Sequence, residues 1–215
     1  MAEMNDTCLG LIADSHGNLE ATAEAIRILK GRGAGTLVHL GDFCDSIRHD
    51  RTVAMIRLLR ENNVLAVKGN NDFSVERMLA DERRGLDSAG EPTIAYLRTL
   101  PFTRALNGLL FAHSLPYDSL RSFYEPIDTG NTQRAARLFA ESDFRRLFCG
   151  HSHIPILFRM AGESVTREQV PPGEKLLQDA DDRFIVIVGA ADEGECALYD
   201  GERRTYERIR ISASK

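Results

Sequence analysis

Seven side chains of the types that bind divalent metal ions occur in short turns of this sequence. They are Asp14, His16, Asp42, Asn70, His113, His151 and His153. Imidazole combined with carboxylate suits Zn, Fe, Mn and related ions. Seven donors exceed the needs of one tetrahedral ion but suit two ions about 3.5–4 Å apart that share a carboxylate and a water. Because such a pair clamps a phosphate and activates the shared water, the pattern predicts hydrolytic chemistry at phosphorus.

The turns that carry these donors all follow segments with the composition of short strands. The segments are residues 8–13, 36–40, 64–67, 109–112 and 146–149. Two helical patterns, at residues 19–30 and 52–61, separate the first three strands. This alternation predicts parallel strands joined by right-handed crossovers. Since ligands of open α/β sheets bind outside the carboxyl ends of strands, we expect all five turns to converge on one edge.

The rest of the chain completes a layered α/β protein. Helical patterns follow at residues 75–84, 93–100 and 132–140. Asn107-Gly108 predicts a hairpin between residues 102–106 and 109–112. After Pro155 the predicted strands are residues 156–160, 183–188, 195–199 and 205–211, and the polar residues 164–182 are expected to form a loop. We therefore expect a part-parallel sheet first, an antiparallel sheet last, and helices outside.

The composition is that of an ordinary globular protein. The 215 residues, 43% hydrophobic and 27% charged, suit one domain over residues 1–215. The net charge of −5 argues against a nucleic-acid partner, although bound metals could still attract a phosphate. We find no signal or membrane segment and expect a cytoplasmic protein without membrane contact; a homo-oligomer remains open. The four cysteines lack CxxC spacing and are expected to be buried free thiols.

Five sequence blocks, read in chain order, resemble a known family. D-S-H-G-N from Asp14, G-D-F-C-D from Gly41, G-N-N-D from Gly69, A-H-S from Ala112 and G-H-S-H-I-P from Gly150 are similar to the signature blocks of calcineurin-like metallophosphoesterases. Each block is weak alone, but five in order at strand ends form a specific pattern. The resemblance, closest to the short bacterial and archaeal phosphodiesterases, implies a four-layer α-β-β-α sandwich of two mixed β-sheets flanked by helices. The terminal β segment would then form the second sheet.

The resemblance also implies a role for each donor. Asp14, His16 and His153 would hold the first metal, while Asn70, His113 and His151 would hold the second and Asp42 would bridge them. Asp42, His113 and His151 would take part in catalysis, and Asn70 and Asn71 would contact substrate. The cofactors would be two divalent transition-metal ions, with Mn expected and Fe, Ni, Co or Zn open. The substrate would be a small phosphate ester or nucleotide, hydrolysed by the metal-bridging hydroxide.

Two positions depart from the family pattern. Asn71 stands where many members have a histidine that protonates the leaving group or steadies the phosphoryl oxygen. An amide can donate a hydrogen bond but cannot act as a general acid. Asn71 therefore favours phosphodiesters or phosphoanhydrides with good leaving groups over alkyl phosphomonoesters. The second departure is that residues 188–192 replace a late Asn-Pro-Gly-Ser-like turn, which leaves the rim of the substrate site undefined.

Several simpler interpretations remain open. His39 lies inside a strand and is expected to pack or support other groups, and His49 is expected to be solvated. Asp45 and Asp72 could orient metal ligands or merely cap turns. For function, the alternatives are a phosphomonoesterase or protein phosphatase, a dinucleoside polyphosphate hydrolase and, from another class, a non-catalytic metal-binding scaffold.

Overall fold

The computed structural model describes residues 8–81, 90–129, 131–173, 175–177 and 182–211. Its first sheet joins parallel strands from the start of the chain to antiparallel strands from its end. In spatial order these strands are β3 (Leu65–Ala66), β2 (Thr36–His39), β1 (Cys8–Ile12), β11 (Glu195–Asp200), β12 (Thr205–Arg210) and β9 (Lys175–Leu177). β1, β2 and β3 run parallel, so their carboxyl ends lie at the same edge.

The second sheet is also mixed. Its strands, in spatial order, are β4 (Thr103–Leu106), β5 (Leu109–Ala112), β6 (Arg146–Cys149), β10 (Arg183–Ile187), β7 (Ile156–Ala161) and β8 (Ser164–Gln169). β5, β6 and β10 run parallel, while β4, β7 and β8 are antiparallel to their neighbours. Asn107 and Gly108, both with positive φ, turn the β4–β5 hairpin as predicted.

Helices cover the outer face of each sheet. They are α1 (Leu19–Gly31), α2 (Thr52–Glu61), α3 (Asn70–Asp81), α4 (Gly90–Thr99), α5 (Arg121–Tyr124) and α6 (Gln133–Glu141). Residues of α1, α2, α3 and α4 share one apolar cluster with the first sheet, and α6 shares another with the second. A third cluster fills the space between the sheets, where Phe148 lies 5.1 Å from Tyr199 and 5.8 Å from Phe184 between ring centroids. These three clusters confirm the predicted four-layer sandwich.

The expectation of a separate antiparallel sheet at the end of the chain was wrong, and the resemblance's assignment of the terminal segment to the second sheet is correct for only half of its strands. β9, β11 and β12 extend the first sheet, and β7, β8 and β10 extend the second. Burial explains the position of β10, since residues 184–187 are buried on both faces. A strand of this kind fits the interior of a covered sheet, between β6 and β7.

The prediction of a loop over residues 164–182 was also wrong. β8 and β9 lie within it, and β8 forms a hairpin with β7 across Gly162-Glu163. Polar composition misled because β8 is an edge strand, which tolerates charged side chains on exposed positions. α3 starts at Asn70 rather than residue 75, and the predicted helical residues 82–84 lie outside the described residues. The four cysteines are buried free thiols, as predicted.

None of the described helices is long and apolar enough to cross a bilayer.

Candidate metal centre

The seven predicted ligands lie at the carboxyl ends of strands from both sheets. Asp14, Asp42 and Asn70 follow β1, β2 and β3 of the first sheet, while His113 and His151 follow β5 and β6 of the second. The sequence predicted one edge, and the structure places the turns on facing edges of two stacked sheets. The site therefore spans the sandwich.

Five of the seven residues have left-handed backbone conformations. Their φ angles are 50° for Asp14, 42° for His16, 56° for Asp42, 74° for His151 and 60° for His153. Residues other than glycine rarely adopt this backbone conformation, because their Cβ atom comes too close to the following carbonyl oxygen. Such strained conformations concentrate at functional sites, where the surrounding structure enforces them.

The first group of donors consists of Asp14, His16 and His153. Nε2 of His16 lies 3.1 Å from Nε2 of His153, and Nε2 of His153 lies 3.7 Å from Oδ1 of Asp14. One donor atom from each residue falls within 4.8 Å of the other two. Asp14 is fully buried, and its Oδ2 accepts the backbone N–H of His151 at 2.9 Å. The three predicted ligands of the first metal therefore lie close together, and their binding of an ion stays a prediction.

The second group consists of Asn70, His113 and His151. The Asn70 side-chain amide lies 3.1 Å from Nε2 of His113 and 3.1 Å from Nδ1 of His151. These two imidazole nitrogens lie 3.2 Å apart. Nδ1 of His113 donates to the Leu40 carbonyl at 2.8 Å, so Nε2 is the ring nitrogen that faces the group.

Asp42 connects to the second group and is held by its neighbours. Its Oδ2 lies 3.5 Å from Nε2 of His113. Asn71 donates to both of its carboxylate oxygens, from the backbone N–H at 2.8 Å and from Nδ2 at 2.7 Å. Donor atoms of Asp14, Asp42 and His113 lie within 4.8 Å of one another, so Asp14 also lies close to Asp42 and to a histidine of the second group. The bridging role of Asp42 therefore stays a prediction.

The donor set fits divalent cations. The Nε2 atoms of His16 and His153 face each other at 3.1 Å, as do Nε2 of His113 and Nδ1 of His151 at 3.2 Å. Ligand atoms of one ion with metal–nitrogen bonds of about 2.0–2.1 Å lie about 3 Å apart, so both separations match a shared ion. Converging lone pairs repel one another unless a proton or a cation lies between them. Two cations would remove this repulsion in both groups.

Burial and mutual charge shift the titration of these groups in opposite directions. Burial raises the pKa of Asp14 to about 7, with the Asp42 charge adding to it against the lowering effect of nearby histidines. Burial would also raise the pKa of Asp42, but the charge of His113 and hydrogen bonds from Asn71 hold it well below its usual value. Burial lowers the pKa of His151 to about 4, assisted by the charge of His113. Strong shifts of this kind cluster at functional sites.

Two glycines are required by the close approach of ligand carboxylates. A Cβ atom on Gly69 would lie 2.1 Å from Oδ1 of Asp42, and one on Gly150 would lie 2.5 Å from Oδ2 of Asp14. Both distances are shorter than any real Cβ contact. Neither residue has positive φ, so the need for glycine here is the absence of a side chain rather than backbone freedom.

Asp72 ties the turns of the site together. Its Oδ2 accepts the backbone N–H of Asp42 at 2.9 Å and that of Gly69 at 2.8 Å, and its Oδ1 accepts the N–H of Cys44 at 2.9 Å. Asp72 is fully buried. Asp72 therefore caps its own turn and also fixes the backbone of Asp42, which is a proposed ligand. Asp45 instead closes a local turn by accepting from the N–H groups of Ile47 and Arg48.

The two remaining histidines are placed as expected. His39 is fully buried, and its Nε2 lies 2.8 Å from the Ser15 hydroxyl, which itself accepts from Thr22. His39 therefore holds the turn between Asp14 and His16 through its hydrogen bond with Ser15. His49 lies in an exposed 3-10 turn, His49–Arg51.

The sequence did not identify Glu193, which contacts the site. Its Oε1 lies 3.1 Å from Nδ1 of His153, and a carboxylate oxygen of Asp192 lies within 4.8 Å of both residues. Asp192 is the last of residues 188–192, which stand in place of the Asn-Pro-Gly-Ser-like turn, and Glu193 follows directly. The acidic pair at residues 192–193 was the signal in the sequence, although it does not identify His153 as the partner. A cavity of about 460 Å³ opens beside this turn, lined by His16, Gly17, Asn18, Arg48, Asp50, Arg51 and Asp192.

Comparisons with known proteins agree with this geometry. The chain is 23% identical over 205 residues to the uncharacterised protein MJ0912 of Methanocaldococcus jannaschii, covering 88% of this chain and 78% of that protein. It resembles the crystal structure of a metallophosphoesterase from Sphaerobacter thermophilus at a TM-score of 0.73 and 22% identity, covering 96% of this chain and 88% of that one.

An archaeal phosphodiesterase is similar at a TM-score of 0.52 and 16% identity, covering 95% of this chain and 99% of that one. At these identities the solved structures support the fold. The family is established separately, because the model of the calcineurin-like phosphoesterase superfamily domain matches residues 8–194. The chain belongs to the calcineurin-like phosphoesterase superfamily and is a metal-dependent phosphoric ester hydrolase.

Proposed function

We propose that this protein is a binuclear phosphodiesterase that hydrolyses small phosphate diesters or nucleotides. The observation that carries the proposal is the joined set of seven donors with Asn71, rather than histidine, beside Asp42. The donors form two groups in each of which two imidazole nitrogens face each other, at 3.1 Å and 3.2 Å. We further propose Mn²⁺ as the ion, since mixed imidazole, amide and carboxylate ligands suit it.

Each proposed ligand has a defined task. Asp14, His16 and His153 would hold one ion, Asn70, His113 and His151 would hold the other, and Asp42 would contact both. Bound together, the ions would supply an activated water and neutralise charge on the phosphate. Asn71 and Asp72 keep the Asp42 turn in place through the hydrogen bonds described above. Asn70 and Asn71 are also proposed to contact substrate.

The contacts of Asn71 favour substrates with good leaving groups. Its Nδ2 donates to Asp42 at 2.7 Å and its Oδ1 accepts the Ser46 hydroxyl at 2.6 Å, so the second N–H of the amide is left to contact substrate, and this group cannot transfer a proton. The four histidines of the site are all proposed as ligands. A leaving group that departs without a proton from a neighbouring imidazole must be stable as an anion, as an aryl oxide or a phosphate is.

The charge around the site favours diesters over monoesters. Asp192 and Glu193 lie beside His153 at the rim, and a dianionic monoester is repelled by them more strongly than a monoanionic diester. The cavity next to His16, at about 460 Å³, has room for the second ester group that a diester carries. The similarity of the fold to an archaeal phosphodiesterase supports the same substrate class.

A dinucleoside polyphosphate hydrolase is the second candidate. Arg48 and Arg51 line the cavity beside His16 and could contact a further phosphate of such a substrate. Phosphoanhydrides also have good leaving groups, so Asn71 is compatible with them. Against it, Arg48 is paired with Asp45 and Arg51 with Glu20.

Hydrolysis rates on three substrates separate these functions. Protein loaded with Mn²⁺ is assayed with bis(p-nitrophenyl) phosphate, p-nitrophenyl phosphate and diadenosine tetraphosphate. We expect the diester to give the highest kcat/KM, and we expect EDTA to abolish the activity. Asp42→Asn should reduce kcat/KM by more than about 100-fold, because substitution of a residue that only hydrogen-bonds to a metal ligand typically costs about 10–100-fold. Asp143→Asn, at an exposed site, is the control and should match the native protein.

Two results would reject the proposal. Diester hydrolysis that survives both EDTA and Asp42→Asn would exclude the metal centre. A higher kcat/KM on the monoester or on diadenosine tetraphosphate would exclude the diesterase in favour of that alternative.

A further inference from the structure

Glu193 contacts the outer nitrogen of a proposed ligand of the first metal. Its Oε1 lies 3.1 Å from Nδ1 of His153. The opposite nitrogen of that ring, Nε2, points inward, 3.1 Å from Nε2 of His16 and 3.7 Å from Oδ1 of Asp14. A carboxylate can only accept at this contact, so Nδ1 of His153 carries a proton and Nε2 is the nitrogen left to bind an ion in the site.

We propose that Glu193 is a positioning residue that orients His153 and strengthens metal binding in the first subsite only. The inference rests on the proposed metal centre, which it deepens. Metal-binding histidines commonly donate their second N–H to a carboxylate or a carbonyl, which fixes the ring and raises the basicity of the ligating nitrogen.

The turn that carries Glu193 is anchored to the strand end that carries Asp14. The backbone N–H of Ala191 donates to the Ala13 carbonyl at 2.7 Å, and that of Asp192 donates to the Asp14 carbonyl at 3.2 Å. Within the turn, the N–H of Glu195 donates to the Ala190 carbonyl at 3.1 Å. Glu193 and Asp14 are thereby held in one hydrogen-bonded unit on either side of His153.

The two subsites differ in the partner that fixes their histidines. Nδ1 of His113 donates to the backbone carbonyl of Leu40 at 2.8 Å, a neutral partner that no side-chain substitution removes. Nδ1 of His153 has the charged and partly exposed Glu193 instead. A carboxylate partner donates more electron density than a carbonyl. Loss of Glu193 should therefore weaken one subsite and leave the other intact.

A Co²⁺ titration tests this asymmetry. Metal-free native protein, Glu193→Ala and Glu193→Gln are titrated by calorimetry, with the visible absorption of bound Co²⁺ recorded in parallel. We expect Glu193→Ala to weaken one of the two binding events by about 10–100-fold and to leave the other within about twofold. The affinity of Glu193→Gln for that ion should lie between those of the native protein and Glu193→Ala, because its amide oxygen still accepts a hydrogen bond from Nδ1 of His153. Glu163→Ala, an exposed glutamate on the β7–β8 turn, is the matched control.

Three outcomes would overturn the inference, and they differ in meaning. If Glu193→Ala binds both Co²⁺ ions with the affinities of the native protein, Glu193 does not position His153. Equal weakening of both events, with a lower melting temperature, shows a merely structural role. A native protein that binds fewer than two Co²⁺ ions rejects the metal centre itself, and with it this inference. The test measures Co²⁺ binding, so a lack of diesterase activity would reject the proposed substrate class without changing these three outcomes.

Discussion

At the scale of single residues, the site combines backbone strain with buried charge. Five proposed ligands have positive φ, and each such residue costs about 1–2 kcal/mol relative to the right-handed conformation. Asp14 and His113 are fully buried as well. These costs are offset by the hydrogen bonds that Asp72, Leu40 and the backbone of His151 make around them. The arrangement sacrifices local stability to place donors, as binding sites commonly do.

His39 should give the folding stability a distinct pH dependence. Burial lowers its pKa to about 3, so it stays neutral in the folded protein, whereas the unfolded chain binds a proton below about pH 6.5. The contribution of His39 to the free energy of unfolding therefore falls as the pH decreases from 6.5 toward 3. Between pH 7 and pH 5.5 we expect the His39 contribution to fall by about 1 kcal/mol.

Urea unfolding of metal-free protein at the two pH values measures this difference. His39→Gln can still form a hydrogen bond with Ser15, and its free energy of unfolding should fall by about 1 kcal/mol less than that of the native protein between the two pH values. The control is His49→Gln, at an exposed position, which should lose as much as the native protein. Identical losses in native protein and His39→Gln would show that His39 does not titrate on unfolding.

At the scale of elements, strand ends approach one another closely enough to exclude side chains. Gly150 follows β6 of the second sheet and Asp14 follows β1 of the first, and a Cβ at Gly150 would lie 2.5 Å from Oδ2 of Asp14. Gly150→Ala should displace that carboxylate and weaken Mn²⁺ binding at the first subsite by at least about tenfold. Metal content after dialysis against defined Mn²⁺ checks this.

Gly31→Ala is the matched control for Gly150→Ala, because a Cβ at Gly31 has no atom within 4 Å. Circular dichroism verifies that both variants fold. A folded Gly150→Ala protein with native Mn²⁺ content would show that the approach of β6 to Asp14 does not govern the site.

Elements with a local signal could be predicted from the sequence, and those fixed by tertiary contacts could not. α2 has the predicted bounds, Thr52–Glu61, because its apolar spacing is regular. β8 was missed because an edge strand with exposed charges reads as a loop. The seven donors follow from residue type and spacing, whereas Glu193 depends on a contact 40 residues from His153 in the chain. No local pattern encodes such a contact.

At the scale of the whole molecule, the centre lies where the two sheets are joined. The chain passes from β10 in the second sheet to β11 in the first through residues 188–194. This connection is bonded to both sheets, through Val188 N–H to the Cys149 carbonyl and Ala191 N–H to the Ala13 carbonyl, each at 2.7 Å. The separation of the two donor groups is therefore set by the packing of the sandwich, which the aromatic cluster around Phe148 fills.

The central claim is that the donors from the two sheets form one binuclear centre, and anomalous diffraction from crystals grown with Mn²⁺ tests it most directly. We expect two anomalous peaks about 3.5–4 Å apart. One should contact Asp14, His16 and His153, and the other Asn70, His113 and His151, with Asp42 between them. A single peak, or peaks outside this group of residues, would contradict the account.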